Sequence, residues 1–224
     1  MGLFKKTCYT GILTAASFLG YVGATTTIVA PLPNDDAIWS SRSYLQGNIH
    51  QNTPTQDVCL KRVSLDKIRP ELLQKEGDLA LELCRGIWSG LAFRIQRAYL
   101  ARKYQGAATA TQLWTVDQLS NSTYEPGTQL TDHFEVLDKT PTETVLRAGD
   151  SPRNSGPRGS DGLLVISAVV DEDRREVVLG LKSCFFGSDQ KVEGSQGPMP
   201  RWMEEMHRWY SRLLITAASW RVTR

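Results

Sequence analysis

The amino-acid sequence predicts an α+β protein, in which two helical stretches enclose a run of strand-forming segments. Apolar residues recur at three- and four-residue spacing between Leu72 and Tyr104, and again in "MPRWMEEMHRWYSRLL" near the end of the chain. This is the period of an amphipathic helix. Between the two stretches the period changes to two, and short segments are separated by turn-forming residues, as in antiparallel hairpins. We therefore predict an antiparallel curved sheet with a long C-terminal helix packed across it, preceded by an N-terminal membrane helix.

Composition excludes several classes of function. The chain has 224 residues, of which 41% are hydrophobic and 22% charged, and its formal charge is +2. This is enough for one domain with a core, and a charge so near zero argues against nucleic acid as the main partner. The four cysteines form no CxxC pair and the three histidines do not cluster, which argues against a structural zinc site. The common nucleotide, metalloprotease and serine-hydrolase motifs are missing from the sequence, so we expect no metal and no cofactor.

The first 34 residues differ from the rest because they are apolar. Residues 7–34 contain no charge and follow Lys5 and Lys6. The segment is long enough for a membrane-spanning helix of roughly 20 residues. It also has the layout of a signal peptide with a cleavage site after Ala24, and an organelle-targeting or peripheral segment is a third reading. The two lysines favour a cytoplasmic amino terminus. We predict a single-pass membrane protein, of the endoplasmic reticulum with its domain in the lumen, or alternatively a secreted protein.

The sequence divides into three parts: a membrane anchor or signal segment over residues 1–34, a polar tether over 35–60, and the α+β domain over 61–224. In a lumenal domain Asn121, in the triplet "NST", would be a glycosylation site. Three cysteines follow the apolar segment. An oxidising compartment would leave either one disulfide and one free thiol, or no disulfide at all.

Each element of the domain follows from its local sequence. The helix over 72–104 is weakened by Gly86 and Gly90. We predict a strand at "TQLWTVDQL", a hairpin from "DHFEVL" and "TETVLRAG", and a second hairpin from "LLVISAVV" and "EVVLGLKSCFF". The second hairpin is apolar on both faces and should be central in its sheet. Pro200 suits the first turn of the final helix.

The apolar face of the final helix is rich in aromatic residues. At about 100° per residue, Trp202, Met206 and Trp209 share one stripe, which Tyr210 widens. Such a face fits a protein core, and it also fits the wall of an apolar cavity. We predict that these four residues, with Trp88 of the first helix, bind a ligand above the sheet.

Two residues are candidates for chemistry and two more for ligand binding. His207 borders the aromatic stripe and titrates near neutrality, so it is the first candidate acid or base. Lys182 interrupts an apolar strand and must reach solvent, a carboxylate or a ligand, because an unpaired buried ammonium is costly. Arg147 and Ser167 are candidate ligand-binding residues. Their alternatives are an ion pair, with Asp150 or across the sheet, for Arg147 and a backbone hydrogen bond for Ser167.

Residues from about Gly127 to Leu214 resemble the START-like (Bet v 1-like, polyketide-cyclase-like) superfamily, whose arrangement is called a helix grip. The resemblance is carried by "HFEVL", "TETVLRAGDSP", "DGLLVISAVVD" and "PMPRWMEEMHRWYSRLL". The chain is also similar to small membrane-anchored fungal proteins of natural-product pathways. The resemblance implies a cavity between sheet and helix that binds a lipid, a sterol or a polyketide.

We accordingly expect a protein that binds a lipophilic small molecule and assists a step of secondary-metabolite biosynthesis, such as cyclisation. The alternative is a non-catalytic lipid or sterol carrier at a membrane. The expected partners are that ligand, the membrane through the N-terminal segment, and other enzymes of the pathway, without nucleic acid.

Overall fold

A computed structural model describes residues 16–224. The helices are α1 (residues 16–24), α2 (Arg42–Gly47), α3 (Asp78–Ser89), α4 (Arg94–Tyr104), α5 (Val116–Asn121) and α6 (Arg201–Val222). The strands are β1 (Thr27–Val29), β2 (Thr55–Ser64), β3 (Gln129–Leu130), β4 (Phe134–Lys139), β5 (Glu143–Gly149), β6 (Asp161–Asp171) and β7 (Glu176–Phe186). The strands form one antiparallel sheet in the order β1-β2-β7-β6-β5-β4-β3. The predicted α+β class, antiparallel sheet and long C-terminal helix are therefore confirmed.

Both predicted hairpins are present in the sheet. Strands β4 and β5 pair with each other, and β6 pairs with β7 along the full length of both strands, from Asp161 opposite Phe186 to Asp171 opposite Glu176. Strands β6 and β7 lie inside the sheet, as their two apolar faces predicted. Helix α6 begins at Arg201, directly after Pro200.

The helical stretch over 72–104 is two helices rather than one. Helix α3 ends at Ser89 and α4 starts at Arg94, with Gly90 in an extended conformation between them. A side chain at Gly90 would collide with the carbonyl oxygen of Gly86. The break resets the helical phase, so Ile95 is 83% exposed although it follows the apolar spacing of α3. The predicted continuous apolar face was wrong for this reason.

The second half of the segment "TQLWTVDQL" is helix instead of strand, since α5 begins at Val116. Thr115 caps α5, because its hydroxyl accepts a hydrogen bond from the Gln118 amide at 3.1 Å. The Gln118 side chain in turn accepts from the Thr115 amide at 2.9 Å. This reciprocal capping box satisfies two backbone donors locally and outweighs the strand propensity of the segment.

Residues 27–60 are integrated into the domain. Strand β1 pairs with β2, and β2 pairs with β7 over its whole length. The connecting segment covers the sheet face opposite α6, where Leu32 and Ile38 pack with Phe186. The structure thus differs from the tether predicted over 35–60. The polar residues that suggested a tether include buried asparagines: Asn52 donates to the carbonyl oxygen of Gly187 at 2.8 Å.

The other face of the sheet carries the main core, under α3 and α6. These two helices approach closely, since a side chain on Gly86 would lie 3.0 Å from the Cα atom of Ala218. Buried side chains fill the space between α6, α3 and the sheet, where the sequence predicted a cavity. They include Leu83, Ile87, Leu164, Ile166, Leu179, Leu214, Ile215 and Val222.

Residues 1–15 of the segment predicted as an anchor or signal over 1–34 lie outside the described part of the chain, and the rest of it contains α1 and β1. Within residues 16–224, no helix combines the length and the apolar character needed to cross a bilayer. The three cysteines in this part are Cys59, Cys84 and Cys184, and all three are buried free thiols. We predicted either one disulfide or none among these three cysteines, and the structure has none.

Candidate functional site

An open cleft of about 800 Å³ lies on the sheet face opposite α3 and α6. Its apolar part comes from Leu137 of β4, Leu163 of β6 and Phe186 of β7. Helix α2 forms one wall and the loop over residues 150–160 forms another. The polar side chains along the walls are Arg42, Ser43, Gln46, Asp138, Arg147, Ser155, Asp161 and Ser188.

Arg147 and Asp161 organise one side of the cleft. The guanidinium of Arg147 donates from Nε to Oδ1 of Asp161 at 2.8 Å and from Nη2 to Oδ2 at 2.6 Å. Nη2 also donates to the carbonyl oxygen of Gly156 at 2.9 Å. The hydrogen bonds to Asp161 raise the pKa of Arg147 above its ordinary value, so the guanidinium stays charged. The predicted alternative of a pair across the sheet is thus realised with Asp161, and not with Asp150.

The same carboxylate is held from its other side. Ser188 donates from its hydroxyl to Oδ2 of Asp161 at 2.6 Å, and the amide of Gly162 donates to Oδ1 at 3.0 Å. Asp161 is 2% exposed. A buried carboxylate with this many donors is held in place and in turn fixes Arg147. Arg147 then holds the loop over 150–160 through the carbonyl oxygen of Gly156, which gives the cleft a preformed wall.

Arg158 is a further cation in this loop, and it is 1% exposed. Its Nε donates to the carbonyl oxygen of Asn154 at 2.9 Å, while Nη1 and Nη2 have no hydrogen-bond partner in the described residues. Burial lowers the pKa of Arg158, and the nearby charge of Arg147 lowers it further. Unpaired buried donors are costly, but Arg158 does not line the cleft, and the cation that a ligand can reach on this side is Arg147.

Lys182 and Ser167 lie on the same sheet face as Arg147. Lys182 pairs with the carboxylate of Asp36 at 2.5 Å. Of solvent, a carboxylate and a ligand, the three partners predicted for this lysine, the structure thus provides the carboxylate. Ser167 lies opposite Gly180 in the β6–β7 ladder, in the space that a side chain on Gly180 would fill. Neither residue lines the cleft of about 800 Å³.

His207 lies on the opposite side of the sheet, between α6 and β7. Its Nε2 atom is 2.9 Å from the hydroxyl of Ser183 and 3.3 Å from that of Ser211. The edge of its ring meets Phe185, with centroids 5.2 Å apart. Burial lowers the pKa of His207 from 6.5 to about 4, with a smaller contribution from the charge of Arg208. The imidazole is therefore neutral at pH 7.

A buried carboxylate accompanies His207. Asp57 of β2 is fully buried, and neither of its oxygens has a hydrogen-bond partner in the described residues. Its Oδ1 is 3.9 Å from Nε2 of His207 and its Oδ2 is 3.8 Å from Nε of Arg208. Burial raises the pKa of Asp57 from 3.8 to about 6, against the opposing effect of Arg208.

The group of Ser183, His207 and Asp57 does not form a nucleophile relay. In such a relay the hydroxyl and the carboxylate contact different ring nitrogens of the histidine, whereas here both face Nε2. Ser183 is also 1% exposed, which keeps it from a substrate. His207 and Lys182, the two residues predicted to act in catalysis, lie on opposite sheet faces and do not share a site.

The aromatic stripe of α6 faces solvent rather than the sheet. Trp202 is 61% exposed, and Met206 and Trp209 are exposed as well. Tyr210 is half-buried and donates to the side chain of Gln96 at 2.8 Å. Trp88 is buried in the core against Phe134, with ring centroids 4.6 Å apart. The structure thus places three of these residues together on an exposed stripe and Trp88 in the core, and none of the five predicted ligand-binding residues lines the cleft.

Sequence reasoning missed most of the cleft. Asp161 and Ser188 flank apolar strands and resembled ordinary loop residues, and the floor residues Leu163 and Phe186 resembled core. The alternation in β6 held one usable signal, because its odd-numbered residues include Leu163, Val165 and Val169, which need cover on the second sheet face.

The remaining predicted positions lie elsewhere. Asn121 is exposed at the end of α5, and its side-chain amide donates to Asp117. Glycosylation there stays a prediction. In residues 16–224 no three His, Cys, Asp or Glu side chains are grouped so that they could hold a metal ion.

Comparison of the chain with protein-family models, with curated proteins and with solved structures gives no match. The features of this chain that bear on function are therefore the geometry of the cleft and the chemistry of its walls.

Proposed function

We propose that this protein binds an amphipathic small molecule in the cleft between α2, the 150–160 loop and the sheet. The observation that carries the proposal is the combination of an apolar floor with a preformed polar wall in about 800 Å³. Ligand sites in proteins are commonly concave, largely apolar and equipped with a few fixed polar groups. The ligand that fits has an apolar body over Leu163 and Phe186 and an acceptor group, such as a carboxylate or carbonyl, beside Arg147.

The role that we propose for this binding is to hold an intermediate of secondary-metabolite biosynthesis while it reacts, for example in a cyclisation. Support for this role comes from the START-like resemblance of the hairpins and the final helix. The proposed ligand position differs from the cavity that the resemblance implies, because side chains fill the space under α6. A carrier that encloses a sterol or a lipid beneath α6 has less support for the same reason.

The test is calorimetric titration of the full-length chain with an anthraquinone carboxylate, which has an apolar body and an anionic acceptor. Gln46 is exposed on α2 and lines the cleft, so Gln46→Trp fills the cleft without entering the core. We expect saturable one-to-one binding by the natural chain and at least a tenfold loss of affinity in Gln46→Trp.

The matched control is Gln105→Trp, at an exposed glutamine that follows α4 on the helical side. We expect this variant to bind like the natural chain. If the titration shows no saturable binding, or if Gln46→Trp binds as tightly as Gln105→Trp, the cleft is not the ligand site.

A further inference from the structure

The outer side of the helical layer carries large apolar side chains that stay about half exposed in the described fold. On α6 they form a line in which Trp202, Met206, Trp209 and Trp220 are between 44% and 61% exposed. From Trp202 to Trp220 this line runs for about 27 Å, at about 1.5 Å per residue. The inner side of α6 is already packed on the sheet, so the stripe is not needed for folding.

Helix α1 extends this line. The ring of Phe18 lies 6.3 Å from the ring of Trp220, and a side chain on Gly23 would lie 3.5 Å from the ring of Trp209. Helix α1 therefore runs antiparallel to α6. It contributes Phe18, Leu19 and Tyr21, each at least 40% exposed, and residues 16–24 contain no charge.

Helix α4 flanks α6, where the hydroxyl of Tyr210 donates to the side chain of Gln96. At and just before α4 the chain exposes Leu91, Ile95 and Tyr99. The break at Gly90 is what turns these residues away from the core.

The charges on α4 are of one sign. The helix carries Arg94, Arg97, Arg102 and Lys103 and no acidic residue. In the described part of the chain, none of these four forms an ion pair within 4 Å. Nη1 of Arg97 is buried and has no hydrogen-bond partner there. Glu205, the exposed acid beside the α6 stripe, is paired with Arg208 at 2.6 Å.

We propose that α1, α4 and the outer stripe of α6 together form a surface that docks on the headgroup region of an anionic lipid bilayer. Interfacial helices combine exposed aromatic and aliphatic residues with arginine and lysine in this way. Tryptophan and tyrosine favour the membrane–water interface, and unpaired basic side chains are attracted to anionic headgroups. In the sequence, α1 is preceded by the uncharged residues 7–15 and by Lys5 and Lys6. A second protein is less favoured as the occupant, because the surface combines exposed apolar side chains with basic side chains that form no ion pair in the described part of the chain.

The test uses the full-length chain with vesicles of phosphatidylcholine and phosphatidylserine whose acyl chains carry bromine, which quenches nearby tryptophan fluorescence. Three of the six tryptophans, Trp202, Trp209 and Trp220, lie on the proposed surface. We expect brominated vesicles to quench up to about half of the emission, since 3 of 6 indoles would reach the bilayer. The triple variant W202F/W209F/W220F should lose this quenching.

Trp39 provides the matched control, because it lies on the cleft side of the sheet against Tyr44. The W39F variant should be quenched like the natural chain. If the chain binds vesicles through its N-terminal segment alone, no bromine-dependent quenching will occur, and the proposal fails. A dimer that shields these tryptophans from brominated lipid would overturn it as well, because the surface would then hold a second copy.

The basic residues give a second, independent readout. Each lysine or arginine near an anionic surface contributes about fivefold to binding, so Arg94→Gln with Arg102→Gln should weaken binding to phosphatidylserine vesicles about 25-fold. Binding to pure phosphatidylcholine should change little. Arg174→Gln with Arg175→Gln, in the exposed turn between β6 and β7, is the control. Equal losses in the two double variants would mean that α4 does not face the lipid.

Discussion

The buried carboxylate of Asp57 should destabilise the folded chain at neutral pH. The folded chain holds this group with a pKa of about 6, against an ordinary value of 3.8, and burial is the main cause. At about 1.4 kcal/mol per pKa unit, the charged carboxylate costs the folded state about 3 kcal/mol at neutral pH. We therefore expect Asp57→Asn, which keeps the shape and removes the charge, to raise the free energy of unfolding by about 3 kcal/mol at pH 7.5.

The neighbouring His207 has the opposite pH dependence. Because folding lowers its pKa to about 4, it destabilises the fold as pH falls from about 6.5 to about 4. Asp57 destabilises the fold as pH rises from about 4 to about 6. The two contributions cancel between pH 4 and 6 in the natural chain. In Asp57→Asn the histidine acts alone, so stability should fall by about 3 kcal/mol between pH 6.5 and 4.

Guanidinium unfolding followed by circular dichroism measures both effects. At pH 7.5 the variant should be more stable by about 3 kcal/mol, and at pH 4 the gain should shrink below about 1 kcal/mol. Asp173→Asn, in the exposed β6–β7 turn, is the control and should change little at either pH. A variant that is less stable than the natural chain at pH 7.5 would show that Asp57 is paired when ionised, and would contradict this prediction.

Three further outcomes follow from packing and burial. Gly86→Val should destabilise the fold by about 2 kcal/mol, since the valine side chain would crowd Ala218. Gly86→Ala should be nearly neutral, because the higher helix propensity of alanine offsets the close contact. Thermal unfolding of the two variants measures the difference. Lys182→Met should lower the free energy of unfolding by about 2 kcal/mol, because it leaves Asp36 unpaired in a largely buried site. Adding Asp36→Asn should recover most of this loss, and denaturant unfolding measures both variants. Burial raises the thiol pKa of Cys59, Cys84 and Cys184 to about 12. In a Cys8→Ser chain, a thiol reagent at pH 8 should therefore label these three thiols only after unfolding. Fast labelling of the native chain would contradict their burial.

The sequence was a good guide where a pattern leaves one physical solution. In β6 and β7 both alternating faces are apolar, and such a hairpin has to be buried on both sides, which the structure confirms. The single prediction of a helix over 72–104 failed because it extended one helical phase through Gly90. The short helix α5 was missed because reciprocal capping between Thr115 and Gln118 is a local signal that strand propensity masks.

The ligand site was predicted on the wrong face of α6, because the hydrophobic pattern of a helix does not show which of its faces the rest of the fold covers. On α6 the outer stripe has the larger apolar residues, while the inner stripe uses small ones such as Ser211 and Ala218. Small residues are needed there because α3 comes so close at Gly86. The cleft depends on contacts between segments far apart in sequence, such as Arg147 with Asp161 and Asn52 with Gly187, and these have no local signature.

Strands β6 and β7 act as a partition with a different environment on each side. Leu164 and Ile166 project into the helical layer, while Leu163 and Val165 project towards the cleft side. A compound that reaches the cleft therefore arrives from the side of the molecule remote from α6. The proposed lipid surface and the proposed ligand cleft therefore share no residues, and occupation of one leaves the other free.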